Sequence, residues 1–188
     1  MSFPSFEDVQ KARSLLAEVS EAHWLQDDLH KASWWLLLAL TIMPYFIWWK
    51  MVDRRRIQEI VLYGLLIALI CMTFDSIGTD RLWWGYPDKL LGLTPPLLPA
   101  DLVLVPVFSM IIYQLFSGMW VPFVLANLAL GLFMAYVCEP LFILLNFYEL
   151  NSWRLTYSLI YYLLTSSGVW WFVTKLKRVQ EKAGFREG

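Results

Sequence analysis

Long apolar stretches separated by short polar breaks make up most of the chain after residue 32. A helix that crosses a bilayer needs about 20 mostly apolar residues. Five stretches come close to or meet this length: residues 34–49, 57–76, 102–116, 121–146 and 155–173. Their apolarity is continuous rather than alternating, which favours helices because a helix satisfies its own backbone hydrogen bonds in hydrocarbon. The pattern predicts an all-α membrane protein, with a bundle of five transmembrane helices over residues 33–175.

Residues 1–32 have a different pattern, in which apolar positions recur at helical spacing among charged ones. These apolar positions are Phe6, Val9, Ala12, Leu16, Val19, Ala22, Leu25 and Leu29. Ser5 followed three residues later by Asp8 is typical of the start of a helix, because the two can cap each other's backbone N–H groups. We expect an amphipathic helix that lies on the membrane surface or packs on the bundle; a partner-binding helix is the alternative.

Basic residues predict the orientation of the bundle. The connection over residues 50–56 holds four positive charges, and the tail over residues 176–188 is also basic. Short basic segments stay on the cytoplasmic side of a membrane. With five spans, the N-terminal helix then lies outside and the basic tail lies in the cytoplasm.

Composition supports a membrane location. The chain of 188 residues is 59% hydrophobic and 17% aromatic, with a mean hydropathy of +0.52. A soluble domain of this composition would expose large apolar patches to water. The tryptophans gather near the ends of the apolar stretches, as in the aromatic belts of membrane proteins. A net charge of -1 gives no attraction to nucleic acid. The expected partners are the lipid bilayer and a lipophilic small molecule or a protein.

Motifs for cofactors, metals and common enzymes are missing from the sequence. Cys71 and Cys138 fall inside apolar stretches, and His23 and His30 lie in the polar N-terminal segment. None of them has the spacing of a metal-binding motif. Phosphate-loop, nucleophile-elbow and zinc-protease motifs are also missing. We therefore expect no cofactor and no metal site.

Three acidic residues in the apolar stretches are the candidate catalytic residues: Asp75, Asp101 and Glu139. An ionisable group inside a membrane costs roughly 2.5 to 3.5 kcal/mol on insertion scales, so each one needs a partner or a function. Counting along the five predicted helices places all three at the end of the bundle opposite the basic connection.

Each acid also has a structural interpretation. Asp101 follows Pro99 and is placed to cap the N-terminus of its helix. Asp75 lies near a helix C-terminus, where we expect it to pair with a basic residue or to take up a proton. Glu139 precedes Pro140, whose missing N–H favours a kink beside the acid.

Polar and aromatic residues near the three acids are candidate ligand-binding residues. They are Trp84, Tyr86, Asn146, Arg154, Tyr157 and Tyr161. Trp84 and Tyr86 belong to the segment 79–100, which is apolar but repeatedly interrupted by proline and glycine. Non-helical backbone at membrane depth is tolerated only under protein or beside water. This segment is either a cap over a site or a loop in the membrane interface.

Two resemblances add expectations. Segments 48–60, 86–90, 98–101 and 139–140 resemble a family of small, uncharacterised polytopic membrane proteins from spore-forming Gram-positive bacteria. This resemblance implies a multi-pass protein of the bacterial plasma membrane, and it implies no activity.

The second resemblance is to the membrane-embedded lycopene cyclase domain. Asp75, Trp84-Gly85-Tyr86, Leu91-Gly92 and Pro99-Ala100-Asp101 follow the outline of its motifs. The chain departs from that family at Leu102, where the family has the second acid of a pair. The resemblance implies acid chemistry on an isoprenoid.

Three classes of function remain open. The first is an accessory subunit, or a module that binds a lipid or small ligand in an outward-facing acidic and aromatic cup. The second is an enzyme that modifies a lipid or isoprenoid, with the three acids as acid, base or cation stabiliser. The third is a small transporter. Five spans favour this class less, because many transporters are built from two equal inverted repeats and an odd number of spans cannot be divided in that way.

Overall fold

The computed structural model describes residues 3–92 and 96–184, which fold almost entirely into helices. The α-helices are α1 Phe6–His23, α2 Ala32–Met51, α3 Ile57–Asp80, α4 Val105–Phe116, α5 Trp120–Phe133, α6 Glu139–Leu144 and α7 Leu155–Gly184. The prediction of an all-α protein is confirmed.

Shorter elements join these helices. The described ranges contain three π-helical turns, at Trp24–Asp28 after α1, at Pro99–Leu104 before α4 and at Met134–Cys138 between α5 and α6. A 3₁₀ turn, Arg54–Arg56, leads into α3. Strands β1 (Trp84–Gly85) and β2 (Glu149–Leu150) pair antiparallel, with Trp84 opposite Leu150.

Within the described residues, four helical segments are long and apolar enough to cross a membrane. They are Ala32–Met51, Arg54–Asp80, Pro99–Phe116 and Trp120–Leu144. Each overlaps a predicted span, so the protein is a membrane protein by the length and composition of its helices. The predicted fifth span falls on α7, which is long but less apolar because tyrosine, serine and threonine are frequent in its first half.

The centre of the bundle is formed by α3, α4, α5 and α7. Tyr63 of α3 stacks on Tyr113 of α4 with ring centroids 4.3 Å apart, and Phe123 of α5 packs edge-on against both rings. Gly64 lets α3 approach α4 closely, since a Cβ there would lie 2.4 Å from the sulfur of Met110. Small residues serve this purpose at helix contacts in membranes.

One end of the bundle, here called the basic end, is held by a partly buried acid, Glu59, with basic partners. Glu59 accepts hydrogen bonds from Arg56 at 3.2 Å, from Lys177 at 3.2 Å and from the Tyr113 hydroxyl at 2.5 Å. Arg56 also donates to the Ser117 hydroxyl at 2.6 Å. These contacts tie α3, α4 and α7 together, and Lys177 lies on α7 itself because that helix continues to Gly184.

The α1 helix begins as predicted. The Ser5 N–H donates to Asp8 at 2.8 Å and the Asp8 N–H donates to the Ser5 hydroxyl at 3.2 Å, which is a capping box. No described residue of α1 is buried. The chain after α1 contacts the rest of the protein through Trp24, whose indole N–H donates to the Leu90 carbonyl at 3.2 Å.

Candidate functional site

A cavity opens at the end of the bundle opposite the basic end. Its volume open to water is about 90 Å³, within about 600 Å³ of empty space that includes the open mouth. Its walls come from α3, α6, α7, the π-helical turn before α4 and the segments around the two strands. All three candidate acids, Asp75, Asp101 and Glu139, line it. We call it the acidic cavity.

Asp75 is buried and held by neutral donors. Its Oδ1 accepts hydrogen bonds from the Trp84 indole N–H at 2.6 Å and from the Tyr86 hydroxyl, and its Oδ2 accepts from the Leu97 backbone N–H at 3.2 Å. The sequence predicts that the Asp75 carboxylate pairs with a basic residue or takes up a proton. Among the described residues no basic side chain forms an ion pair with Asp75, because the surrounding donors satisfy the carboxylate without one.

Asp101 does not cap its helix, contrary to the structural interpretation. Helical backbone already begins at Leu98, so Asp101 lies inside the first turn and no side chain caps that turn. The Asp101 side chain instead contacts the carboxyl group of Asp75. Its buried Oδ2 has no hydrogen-bond donor among the described residues. Two carboxyl groups in contact must share a proton or a bound cation, because two negative charges so close repel strongly.

Glu139 is held from α7. The Tyr162 hydroxyl donates to its Oε1 and the Ser158 hydroxyl donates to its Oε2, both at 3.0 Å. Ser158 in turn accepts a hydrogen bond from the Trp153 indole at 2.9 Å. The chain of contacts fixes the carboxylate at the wall of the cavity.

The backbone is widened next to two of the acids. Asp101 lies within the π-helical turn Pro99–Leu104, and the turn Met134–Cys138 ends directly before Glu139, whose N–H donates to the Met134 carbonyl five residues back. Pro140 follows, in agreement with the expected irregularity beside Glu139. Single π-helical turns are frequent at functional sites because they redirect side chains.

Aromatic rings form most of the remaining wall: Phe74, Trp84, Tyr86, Phe142, Tyr148, Trp153, Tyr161 and Tyr162. Phe74 stacks on Tyr161 with centroids 4.3 Å apart, and Trp84 meets Trp153 edge-on at 4.9 Å. None of the described lining residues is lysine, arginine or histidine. The cavity thus combines negative or protonated carboxyl groups with the electron-rich faces of aromatic rings.

The predicted segment 79–100 contributes directly to this wall. Gly78, just before it, permits a close contact, because a Cβ there would lie 2.0 Å from the Trp84 ring. The Trp83 carbonyl accepts backbone hydrogen bonds from Asn151, Ser152 and Trp153 at 3.0 to 3.2 Å. These bonds and the β1–β2 pair bring Trp84 over the cavity; residues 93–95 of the segment lie outside the described residues.

Two tyrosines outside the helices that cross the membrane have displaced pKa values. Burial, and then the nearby charge of Asp75, raise the pKa of Tyr86 well above its ordinary value. Burial also raises the pKa of Tyr148. Both phenols therefore stay protonated at neutral pH, and Tyr86 can act only as a donor toward Asp75.

The structure separates the six candidate ligand-binding residues into two groups. Trp84, Tyr86 and Tyr161 line the cavity. Asn146, Arg154 and Tyr157 do not: all three are exposed to solvent, and the Asn146 amide faces Asp88 at 3.5 Å. Their helical spacing and chain position predicted them near the site, but they do not line the cavity; Tyr157 packs edge-on against Trp153, which does.

Several lining residues were not predicted: Phe74, Tyr148, Trp153, Ser158 and Tyr162. Ser158 and Tyr162 lie one turn apart on α7, which is the spacing of side chains on one helix face. Two polar residues on one face of an apolar helix could therefore have identified the hydrogen-bond donors to Glu139.

No family model, curated protein or solved structure matches this chain. The assignment of function therefore depends on the site itself.

Proposed function

We propose that this is a multi-pass protein of the bacterial plasma membrane with α7 as a fifth span, the N-terminus outside and the C-terminus in the cytoplasm. The distribution of basic residues supports this topology. The basic residues Arg54–Arg56 and Lys177 share one end of the bundle, as the positive-inside rule requires of cytoplasmic segments. The acidic cavity is at the other end and so opens outward.

In this topology α1 lies on the outer surface of the membrane as an amphipathic helix. Its apolar side chains, such as Phe6, Leu16 and Val19, are 75%, 66% and 57% exposed in the isolated chain. Contact with the membrane surface would cover these side chains.

We further propose that the protein is a binding module, or the ligand-binding subunit of a larger assembly, for a lipophilic molecule with a cationic head group. One observation carries this proposal: three carboxyl groups share an aromatic-walled cavity in which no described lining residue is basic. An ammonium group is attracted by carboxylates and by aromatic faces within about 6 Å. A cation between Asp75 and Asp101 would also relieve the repulsion between them.

Mass spectrometry of the detergent-extracted protein tests this proposal. The wild type should retain a small lipophilic amine that Asp101→Asn and Glu139→Gln lose. Asp80→Asn is the matched control, because Asp80 is an exposed acid on α3 outside the cavity. A retained neutral hydroxylated lipid would correct the head-group chemistry. Equal binding of bulk phospholipid to all four proteins would refute the cavity as a ligand site.

A second function, modification of an isoprenoid, is favoured by the contact between Asp75 and Asp101. If the pair shares a proton, Asp101 can deliver it to an alkene carbon, forming a C–H bond and a tertiary carbocation. The aromatic walls would stabilise that cation. The Glu139 carboxylate would then remove a proton from an adjacent carbon and restore a double bond, so that the reaction is a redox-neutral isomerisation or cyclisation.

Incubation with polyprenyl lipids in D₂O tests the enzymatic alternative. The wild type should incorporate deuterium into the lipid carbon skeleton, and Asp101→Asn should not. Retention of an amine without any deuterium incorporation would favour the binding module over the enzyme.

A further inference from the structure

A second polar cluster lies outside the acidic cavity, where α1 continues into its π-helical turn. It contains His23, Asp27 and Asp28, and one ligand atom from each lies within 4.8 Å of the others. The Nε2 of His23 is 3.6 Å from the Oδ1 of Asp28 and 3.3 Å from the carbonyl oxygen of Pro87. The cluster therefore brings one imidazole nitrogen and two carboxylate oxygens together, with the Pro87 carbonyl oxygen beside the imidazole.

One atom of the cluster lacks the partner that its burial demands. Asp28 is 2% exposed, and its Oδ2 accepts a hydrogen bond from the Lys89 backbone N–H at 3.1 Å. Its Oδ1, which faces His23, has no hydrogen-bond partner among the described residues. A buried carboxylate oxygen without a partner is costly and calls for an explanation.

The charges around Asp28 do not give its Oδ1 a hydrogen bond. His23 forms an ion pair with this oxygen, at 3.6 Å, only when its imidazole is protonated. Asp27 lies beside it, although Lys31 binds one Asp27 oxygen at 2.6 Å and leaves the other free. Asp88 adds a further negative charge nearby. Lys89 contacts Asp28 through its backbone N–H, not through an ion pair of its side chain.

We propose that His23, Asp27 and Asp28, together with the Pro87 carbonyl, bind a divalent transition-metal ion of the Zn²⁺ class. An imidazole nitrogen with carboxylate oxygens is a donor set that suits zinc, whereas magnesium and calcium prefer oxygen ligands alone. Side chains must close to about 2.0 to 2.2 Å from the ion. His23 and Asp27 are 53% and 50% exposed and free to move in, while Asp28 is fixed by its burial.

The position of the cluster indicates what the metal does. It joins the end of α1 to Pro87, the residue directly after Tyr86 of the acidic cavity. The indole N–H groups of Trp24 and Trp34 already hold this segment by donating to the Leu90 carbonyl at 3.2 and 3.0 Å. The bound ion therefore links the end of α1 to the segment after Tyr86 and stabilises one wall of the acidic cavity from outside. Its binding does not depend on which ligand the cavity takes.

Zinc binding to the full-length protein in detergent tests the inference. The protein is stripped with chelator and then dialysed against ZnCl₂ in excess Mg²⁺. The wild type should bind one equivalent of zinc. His23→Asn should lower the affinity for zinc by at least tenfold, because losing even a residue that only hydrogen-bonds to a metal ligand lowers metal affinity roughly 10 to 100-fold. Asp27→Asn, at a half-exposed position that leaves the fold intact, should also lose affinity.

His30→Asn is the matched control, since His30 is the other histidine and asparagine tolerates its positive φ of 69°. It should bind zinc as the wild type does. Hydrogen exchange at residues 87–92 should slow when zinc is added to the wild type and to this control only. The proposal fails if the wild type binds no zinc, or if His23→Asn and Asp27→Asn both bind it as tightly as His30→Asn does.

Discussion

The two ends of the bundle both bury acidic side chains, but they surround them differently. At the basic end, Glu59 contacts Arg56, Lys177 and the hydroxyl of Tyr113. In the acidic cavity, the donors to Asp75 and Glu139 are neutral, and two of the three carboxyl groups contact each other. An acid matched by bases within the protein is part of the scaffold, whereas acids left without bases have capacity for a proton or a cation from outside.

The difference also predicts opposite effects on stability. Removing one member of a matched ion pair leaves the remaining charges without a partner and destabilises the fold. Removing one acid from a cluster of acids relieves repulsion, so the fold gains stability while the site loses its ligand, as is common for functional sites.

The largest effect is expected at the basic end, from Glu59→Gln. Arg56 and Lys177 then lack a counter-charge, and we expect the free energy of unfolding to fall by about 2–3 kcal/mol. This is less than the roughly 3–5 kcal/mol of a fully buried pair, because Lys177 is 45% exposed. Thermal unfolding in detergent measures the change. The ligand retained per folded molecule should stay at the wild-type level, and its loss would mean that the two ends are coupled.

A smaller loss is expected from Gly78→Ala, which tests the wall of the acidic cavity without changing a charge. The new Cβ would meet the Trp84 ring at 2.0 Å. Trp84 must move away from Asp75, and overpacking of this kind costs about 1–3 kcal/mol. Ligand retention should fall with stability. Gly168→Ala is the control, because nothing lies within 4 Å of its Cβ; if Gly78→Ala behaved like it, the Trp84 contact would be irrelevant.

The fold was more predictable from the sequence than the site. Apolar stretches show where helices cross a membrane, because the bilayer demands both length and helical hydrogen bonding. Counting the 1.5 Å rise per residue along straight helices also grouped Asp75, Asp101 and Glu139, since depth depends only on position along the axis. All three line one cavity.

The partners of these acids could not be predicted in the same way. Which face of α7 meets Glu139 depends on the rotation of that helix about its axis. Ser158 and Tyr162 therefore were not predicted, although they line the cavity, whereas the candidate Tyr157 does not line it. The capping role expected for Asp101 failed because helical backbone begins earlier, at Leu98. Asp27 and Asp28 lie one helical turn after His23 in the sequence, but the burial of Asp28 and the approach of the distant Pro87 carbonyl could not be predicted from that spacing.

Unlike Glu59→Gln and Gly78→Ala, Asp101→Asn is expected to raise the free energy of unfolding. Without a ligand, the two contacting carboxyl groups must take up a proton, which costs free energy at neutral pH. An amide at position 101 supplies an N–H donor to Asp75 without that proton uptake, so we expect unfolding to become harder by about 1 kcal/mol. Thermal unfolding of the ligand-free protein measures this, since bound ligand would itself stabilise the wild type. Asp80→Asn should change little. A large destabilisation by Asp101→Asn would place this acid in the scaffold, like Glu59.

The smallest effects are expected from a matched pair of serines, one at each end. Ser117 accepts a hydrogen bond from Arg56 at 2.6 Å, and Ser158 donates to Glu139 at 3.0 Å. Ser117→Ala and Ser158→Ala should each lower the free energy of unfolding by about 1 kcal/mol, because each removes a partly buried hydrogen bond. Only Ser158→Ala should weaken ligand retention, since Glu139 then loses one of the donors that position it. Equal retention by both variants would show that the orientation of Glu139 does not matter to the ligand, and would leave Asp75 and Asp101 as the acids that bind it.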